Sequence, residues 1–522
     1  MATFDAIVVG SGFGGAVTAG RLASTGYKVL VLERGRRWTV DTFPRAANDP
    51  WIWDQRQPLR CNGWFDFRIF PHMTVVQGAG VGGGSLVYAN ISVDAKPDTF
   101  NAGWPPEITF RELEPHYKAV GAMLDLQKVP GNQWPKRTSL LQEAAQKSGL
   151  GDRFRRLDLA VTFDPQWTYD LNDPHSYSHS KEFVNAQGQQ QGTCVHLGEC
   201  DIGCKVRARN TLDLNYLALA EKHGAEVRPL HLVRNLEPHD GGYRVHFERI
   251  EKTALVPGSE TARLVVLAAG SLGSTELLLR CRDRHKTLTD LSPFLGRHWS
   301  SNGDFLTPAF HPMRQVDPTR GPTITAAIDL LDGKVAPNGQ AVFIEDGGLP
   351  DIAKGYLQDL AANESEEVRK RALIESVRLL TRLNAFDRVM PWFAQACDAG
   401  DGVMSLVDGE LFLNWDIEKS EKTINAVVAM HERLAKATGG IPLVPASWTF
   451  AKDLITPHPL GGANMGTTRD NGVVDYKGEV FGYRNLFVAD GAIIPEALGL
   501  NPSKTIAALA EHIAAQIIAE NR

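Results

Sequence analysis

The sequence predicts an α/β fold in which a Rossmann-type dinucleotide-binding domain is interleaved with a second, discontinuous α+β domain. Three observations predict it. Residues 4–33 read as strand, glycine turn, helix, strand and acid. Leu264 to Leu267 reads as a buried strand running through Ala268 and Ala269 to a second glycine turn at Gly270. The chain closes on a strand at 486–490 and an amphipathic helix from Thr505 to about Ala519. With nucleotide-type signals at the start, middle and end, residues 1–100, 191–305 and 455–522 are assigned to the nucleotide domain. Residues 101–190 and 306–454 then form the substrate domain.

The opening unit carries a G-x-G-x-x-G run, Gly10-Ser11-Gly12-Phe13-Gly14-Gly15, between a Val/Ile strand and a helix. Gly10 permits the tight turn out of the strand, Gly12 lets the backbone approach a pyrophosphate, and Gly15 lets the helix pack closely on the sheet. The free N–H groups at the helix start meet the phosphate charge. Glu33, followed by Arg34, closes the second strand where a carboxylate accepts both ribose hydroxyls and disfavours a 2′-phosphate. The motif alone does not separate FAD from NAD.

Further along, Gln77 to Asn90 is glycine-rich and includes Gly78, Gly80, Gly83, Gly84 and Ser85. A short helix is predicted over Thr109–Leu124, within a mixed region 100–190 whose Trp-Pro pairs mark loops. A helix over Leu214–His223 precedes strands near 227–236 and 242–248. A strand from Gln340 to Glu345 ends at the Asp346-Gly347-Gly348 turn. Ala361–Ala396 reads as helical and fits a packed core helix with a solvated face; a lid or a peripheral membrane contact is the alternative. A strand over Val403–Phe412 and a helix over Glu421–Thr438 follow.

Composition bounds the function. The chain has 522 residues, 43% hydrophobic and 22% charged, with a net charge of −6, as expected of a soluble globular enzyme. No basic run points to nucleic acid, and no apolar stretch reaches the ~18 residues that span a bilayer. The first strand begins near residue 4, which predicts no signal peptide in this chain and a cytoplasmic location.

Four blocks, taken together and in this order, resemble the glucose-methanol-choline (GMC) oxidoreductase family and, within it, the cholesterol-oxidase-like branch. They are VVGSGFGGAVTAGRLASTGYKVLVLERG, GVGGGSLVYAN, LAAGSLGSTELLLR and HPLGG…LFVADG…LGLNPSKTIAALAE. The resemblance covers about half the residues and is poor over 100–190 and 350–400. It implies bound FAD and an antiparallel sheet with helices in the substrate domain. Gly82 to Ser85 would approach the pyrophosphate and ribityl chain, and Val87, Tyr88, Ala89 and Asn90 would pass under the flavin ring. Steroid oxidases usually carry Asn-Gly-Gly where this chain has Tyr88-Ala89-Asn90. Some relatives tether FAD through a histidine at the position of Val87, so the cofactor here is expected to be non-covalent. Asp490 and Gly491 match the second flavin-binding turn, and Asn302-Gly303 would line the flavin edge.

The resemblance also implies the reaction: oxidation of a CH–OH group, of a sterol or another bulky hydrophobic alcohol, by hydride transfer to flavin N5. Removing the hydroxyl proton needs a base within about 3 Å, and imidazole has a suitable pKa. His458, set between Pro457 and Pro459, is the candidate. Asn501, before Pro502, can donate to the substrate oxygen, cap the last helix, or both. Glu345 matches a glutamate that moves a proton during isomerisation of the ketone product; a plain strand-end carboxylate is the equal alternative. The electron acceptor is oxygen or another group. A flavoprotein lyase of the hydroxynitrile-lyase type is the second reading.

Cys194, Cys200 and Cys204 form C-x5-C-x3-C. Three close thiolates can hold a [3Fe–4S] cluster or zinc, with His196 as the local fourth ligand. Some sugar dehydrogenases of the same family pass electrons through such a cluster. Free buried thiols or a single disulfide fit the spacing equally.

Overall fold

The computed structural model describes residues 3–351 and 385–520. Its first sheet has seven strands. The strand Phe4–Val9 lies between Val29–Leu32 and the long strand Leu255–Leu267, parallel to both. Leu486–Val488 pairs with the far side of Leu255–Leu267, again in parallel, and Glu226–Arg228 extends the other edge beyond Val29–Leu32. Val29–Leu32 and the stretch Leu264–Leu267 are unbroken Val/Leu runs because helices and loops bury both faces there. The first half of Leu255–Leu267 turns to an antiparallel pairing with Gly242–Ile250, which pairs in turn with His231–His239.

The register matters for function. Leu32, Val9, Leu267 and Val488 form one row across the parallel strands. Glu33, Gly10, Ala268 and Ala489 therefore emerge together at the carboxyl ends, where open α/β sheets bind ligands. The helix Phe13–Ser24 starts from this edge. The closing helix Ser503–Glu520 packs on it, tied by an Arg21–Glu511 ion pair at 2.7 Å and by Tyr216 Oη donating to Glu511 at 2.6 Å.

The second sheet has six antiparallel strands in the order Ile441–Pro442, Phe305–Phe310, Val389–Ala396, Val342–Asp346, Ala326–Leu330, Phe154–Arg156. Strand alternation sorts its side chains. One face meets the helices Lys136–Lys147 and Ile417–Ala437: Thr138 bonds Asp346 at 2.9 Å, and His431 on the second helix bonds Thr307 at 2.9 Å. The opposite face carries Glu345, Phe393 and Gln395. A smaller sheet of Ile52–Trp53, Phe65–Phe70, Met73–Gly78 and Leu454–Thr456 brings the chain to His458.

Two expectations are corrected. Val389–Ala396, read as the end of a helix, is an interior strand paired on both sides; its Val, Trp and Phe side chains suit a pleated surface, and this tertiary pairing overrides the helical reading. The preceding part of that stretch, up to residue 384, lies outside the described residues. The single strand expected over 403–412 is a hairpin, Val403–Val407 with Glu410–Asn414. Asp408-Gly409 forms its two-residue turn with φ of 52° and 80°, the Asp-Gly pair that such turns favour. No described helix is long and apolar enough to cross a membrane.

Candidate active site

A cavity of about 460 Å³ runs between the carboxyl edge of the first sheet and the open face of the second. Of the predicted cofactor residues, Gly10, Gly12, Phe13, Gly14, Glu33, Arg34, Gly78, Gly83, Gly84, Tyr88, Ala89, Ala269, Gly270, Asp490, Gly491, Asn501 and Pro502 line it. A Cβ on Gly12 or Gly84 would meet no atom nearer than 3.9 Å, so these glycines open onto the cavity itself. Gly14 is different: a Cβ there would lie 1.6 Å from the Ala489 carbonyl oxygen, so it serves the approach of helix to strand. This glycine-walled groove at a helix start fits a dinucleotide such as FAD.

The carboxylates of this wall are anchored by the protein. Glu33 accepts from the Ser11 N–H at 3.1 Å, the Ser11 hydroxyl at 2.6 Å and the Gly35 N–H at 2.8 Å. Asp490 accepts from the Gly270 N–H, the Ser274 hydroxyl and the Ala492 N–H, joining both glycine turns. Burial pushes the Asp490 carboxyl up to about 6 despite those donors.

Of the residues expected at the two glycine-rich turns, Gly15, Gly80, Gly82, Ser85 and Asn90 do not line the cavity. Gly15 sits against the Gly10 carbonyl, where a Cβ would approach to 2.1 Å; its role is close helix packing. Gly80 packs under the Trp38 ring. Ser85 is turned inward, donating to the Gly82 carbonyl and accepting from the Leu212 N–H. Asn90, buried with φ of 67°, accepts from Arg209. Arg209, which sequence reasoning missed, also holds the Ser85, Leu86 and Tyr88 carbonyls and so fixes the glycine-rich loop from behind. Its signal in the sequence was absent, since an isolated arginine in a loop has no local pattern.

At the other end of the cavity, His458 reaches the wall with 18% of its side chain exposed. Its Nδ1 lies 2.8 Å from Asp304 Oδ1, and Asp304 is otherwise held by the Thr456 hydroxyl at 2.5 Å. Burial acts to lower the His458 pKa, but Asp304, and Glu345 beyond it, outweigh this and raise it. Asp304 too is raised by burial, against the stabilising imidazole.

Asn501 lines the cavity and its amide donates to Glu345 Oε2 at 3.4 Å. Gln395 donates to the same oxygen at 3.0 Å. Glu345 itself is fully buried behind Asn501 rather than on the wall, and among the described residues its Oε1 has no hydrogen-bond partner. Burial pushes its carboxyl up to about 8, against the hydrogen bonds from Gln395 and Asn501. The Asn501 side chain makes no capping bond to the last helix; among the described residues its Oδ1 has no partner. Asn302, expected at the flavin edge, instead accepts from the Leu498 and Gly499 N–H groups and donates to the Leu500 carbonyl. It holds the turn that presents Asn501.

The three clustered cysteines are free. Burial pushes all three thiols up. His196 is turned to Gln133 at 3.2 Å and stacked on Trp167, not toward a ligand set. Among the described residues no group of three or more His, Cys, Asp or Glu is arranged to hold a metal ion, so the iron–sulfur centre gains no support.

Comparison with known proteins agrees with this architecture. A GMC oxidoreductase signature matches residues 408–510, and an NAD(P)-binding Rossmann-like domain matches residues 8–54. A cholesterol oxidase of Mycobacterium tuberculosis is 32% identical over 98% of this chain and 90% of its own length. A cholesterol oxidase of Acinetobacter baumannii is 29% identical over 99% of this chain and 95% of its own length. Among solved structures, pyridoxine 4-oxidase from Mesorbium loti superposes with a TM-score of 0.62 at 16% identity, covering 99% of this chain and 100% of that one. The chain belongs to the GMC oxidoreductase family. It is an FAD-type oxidoreductase of the alcohol-oxidising class.

Proposed function

We propose that the protein oxidises the CH–OH group of a bulky hydrophobic alcohol, of the sterol class or similar in bulk, with His458 as the base. The observation that carries this reading is the His458–Asp304 pair at 2.8 Å on the wall of a cavity that also presents Asn501. Bound FAD would supply the hydride acceptor. Gly12, Gly84 and the start of the helix Phe13–Ser24 would hold its pyrophosphate, and Glu33 its ribose.

Asp304 can only accept a hydrogen bond when ionised, so the Nδ1 proton of His458 points to it and Nε2 is left for the substrate hydroxyl. Nε2 takes the hydroxyl proton, and Asp304 stabilises the imidazolium that results. The Asn501 amide is placed to donate to the oxygen as charge develops there. Leu306, Ile324, Phe393 and Ile506 give the wall an apolar character that suits a hydrophobic body. The two cholesterol oxidases among the relatives support that substrate class. The same reading assigns the cofactor to the domain built from residues 1–100, 191–305 and 455–522, and much of the apolar wall for the alcohol's body, with Leu306, Ile324 and Phe393, to the remainder.

Anaerobic mixing of the yellow holoenzyme with sterols, long-chain and aryl alcohols tests the proposal. Bleaching of the flavin by at least one hydrophobic alcohol is the expected result, and admitting air then shows whether oxygen restores the colour. Turnover of a cyanohydrin with no bleaching by any alcohol would replace the oxidation with a lyase reaction.

A further inference from the structure

Among the charged groups that line the cavity and take no part in removing a hydride and a proton, one carboxylate has hardly any hydrogen-bond donors. It belongs to Asp201, on the wall beside Thr323, Ile324, Gly347 and Gly348. Its main chain is fixed within the short turn Cys200–Ile202, and its carbonyl accepts from Trp64 Nε1 at 3.0 Å. Its carboxylate is poorly satisfied. Among the described residues its hydrogen-bond donor is the Thr323 hydroxyl, 3.3 Å from each oxygen. One proton is thus shared by two oxygens that together can accept about four hydrogen bonds.

The guanidiniums that act on Asp201 electrostatically are occupied elsewhere. Arg209 bonds the carbonyls of Ser85, Leu86 and Tyr88, and Arg137 bonds those of Thr323, Gly347 and Pro322. Burial pushes the Asp201 carboxyl up to about 6, while Arg209, the Thr323 hydroxyl and Arg137 act against this. An anion with one weak donor on a wall otherwise shaped by Ile324, Leu306 and Phe393 is costly unless something in the cavity supplies more donors.

We propose that Asp201, with Thr323 beside it, anchors a hydrogen-bond donor, a hydroxyl or an ammonium, carried by the substrate away from the carbinol that reacts. The inference rests on the reading of this cavity as an alcohol-oxidising site and narrows its substrate class to alcohols with a hydrophobic body and a second, polar end. The substrate is then held at two points, its carbinol by His458 and Asn501 and its distal donor by Asp201. A site built to hydrogen-bond a substrate group discriminates strongly against the analogue that lacks it, because the buried partner is left unpaired.

The test uses holoenzyme and matched pairs of alcohols. One series sets 1-alkanols against α,ω-diols and ω-amino-alkanols of rising length; the other sets sterols against counterparts with a side-chain hydroxyl or amine. Binding is read from the perturbation of flavin absorbance, separately from bleaching. At least one donor-bearing member is expected to bind about 10- to 100-fold tighter than its partner, the range for a hydrogen bond to a charged group. Asp201→Asn should remove most of that difference for the amine and less for the hydroxyl, with flavin content and the pairwise response to the donor-free member unchanged. Thr323→Val should give a smaller loss of the same discrimination, which keeps the test intact if Asp201→Asn fails to fold. Equal response to both members of every pair, whether both bind or neither does, overturns the proposal, as does undiminished discrimination in the variants. Tight binding of the donor-bearing member without bleaching would preserve the anchor and refute the oxidation.

Discussion

His458 Nδ1 stands 2.8 Å from Asp304 Oδ1, with the acid fully buried and the imidazole reaching the cavity wall. The pair fixes both the orientation of the ring and the tautomer, since a carboxylate accepts and the Nδ1 proton must face it.

That pairing gives a pH signature. The base form of His458 is needed, and Asp304 raises the His458 pKa above the ordinary histidine value. The rate of flavin bleaching should therefore climb with pH and level off only above that raised value. Asp304→Asn removes the raising influence, so the climb should move to lower pH while the plateau falls. His458→Ala should lose the rise altogether and slow bleaching by about 10²–10⁴-fold, the usual worth of a general base, with flavin retained. Stopped-flow absorbance across a pH series measures all three.

Glu345 has a different profile. Its carboxyl is pushed up to about 8, so it holds a proton at neutral pH and becomes a carboxylate only on the alkaline side. If a β,γ-unsaturated steroid ketone is formed, its conversion to the conjugated ketone by Glu345 should quicken as pH rises through that value. Glu345→Gln should cut the conversion by about 10²-fold or more while the alcohol is still oxidised. Ultraviolet absorbance of the product separates the two ketones.

Asn302 presents Asn501 without touching the cavity. Asn302→Ala leaves the Leu498 and Gly499 N–H groups without their acceptor, at a cost of about 1–3 kcal/mol for each buried group. The turn should shift, and a misplacement of Asn501 by about 1 Å should lower the bleaching rate by about 10²-fold. Thermal melting and bleaching kinetics of the flavin-loaded variant report the two effects independently.

Gly14→Ala tests the close packing at the first turn of the helix. Its new Cβ would lie 1.6 Å from a backbone oxygen, which no side-chain rotation relieves. A loss of at least the 1–3 kcal/mol typical of overpacking, roughly, is expected, together with a fall in bound flavin. The ratio of flavin to protein absorbance after purification measures it. Gly12→Ala is the control with a different cause: its Cβ meets open space, so flavin affinity should fall with little change in the fold of the cofactor-free protein.

The parts of this molecule that were legible in the sequence are those where local chemistry and tertiary role coincide. The opening βαβ unit is the clearest, because strand, glycine turn, helix, strand and acid follow one another within residues 4–33; Gly14 is the exception, since its need comes from the remote Ala489 carbonyl. Glu345 was legible as a strand-end acid or, by resemblance, a proton-moving glutamate, with nothing local to choose between them; its burial comes from two neighbouring strands and from Asn501, more than 150 residues away along the chain. Asp304 escaped notice beside Asn302-Gly303, because its partner His458 lies 154 residues further on. The strand Val389–Ala396 was misread since its pairing partners, Phe305–Phe310 and Val342–Asp346, are remote in sequence. Asp408-Gly409, by contrast, carried a plain local turn signal that should have split the strand around it.

The parallel strand Leu486–Val488 and the helix Ser503–Glu520 complete a nucleotide site whose first wall is laid down by residues 9–14. A nascent chain emerging from the ribosome therefore has its glycine turn early and its Asp490 and Asn501 last. The cofactor groove thus draws its two walls from segments far apart along the chain, and it is closed only once the segment carrying Asp490 and Asn501 has been made.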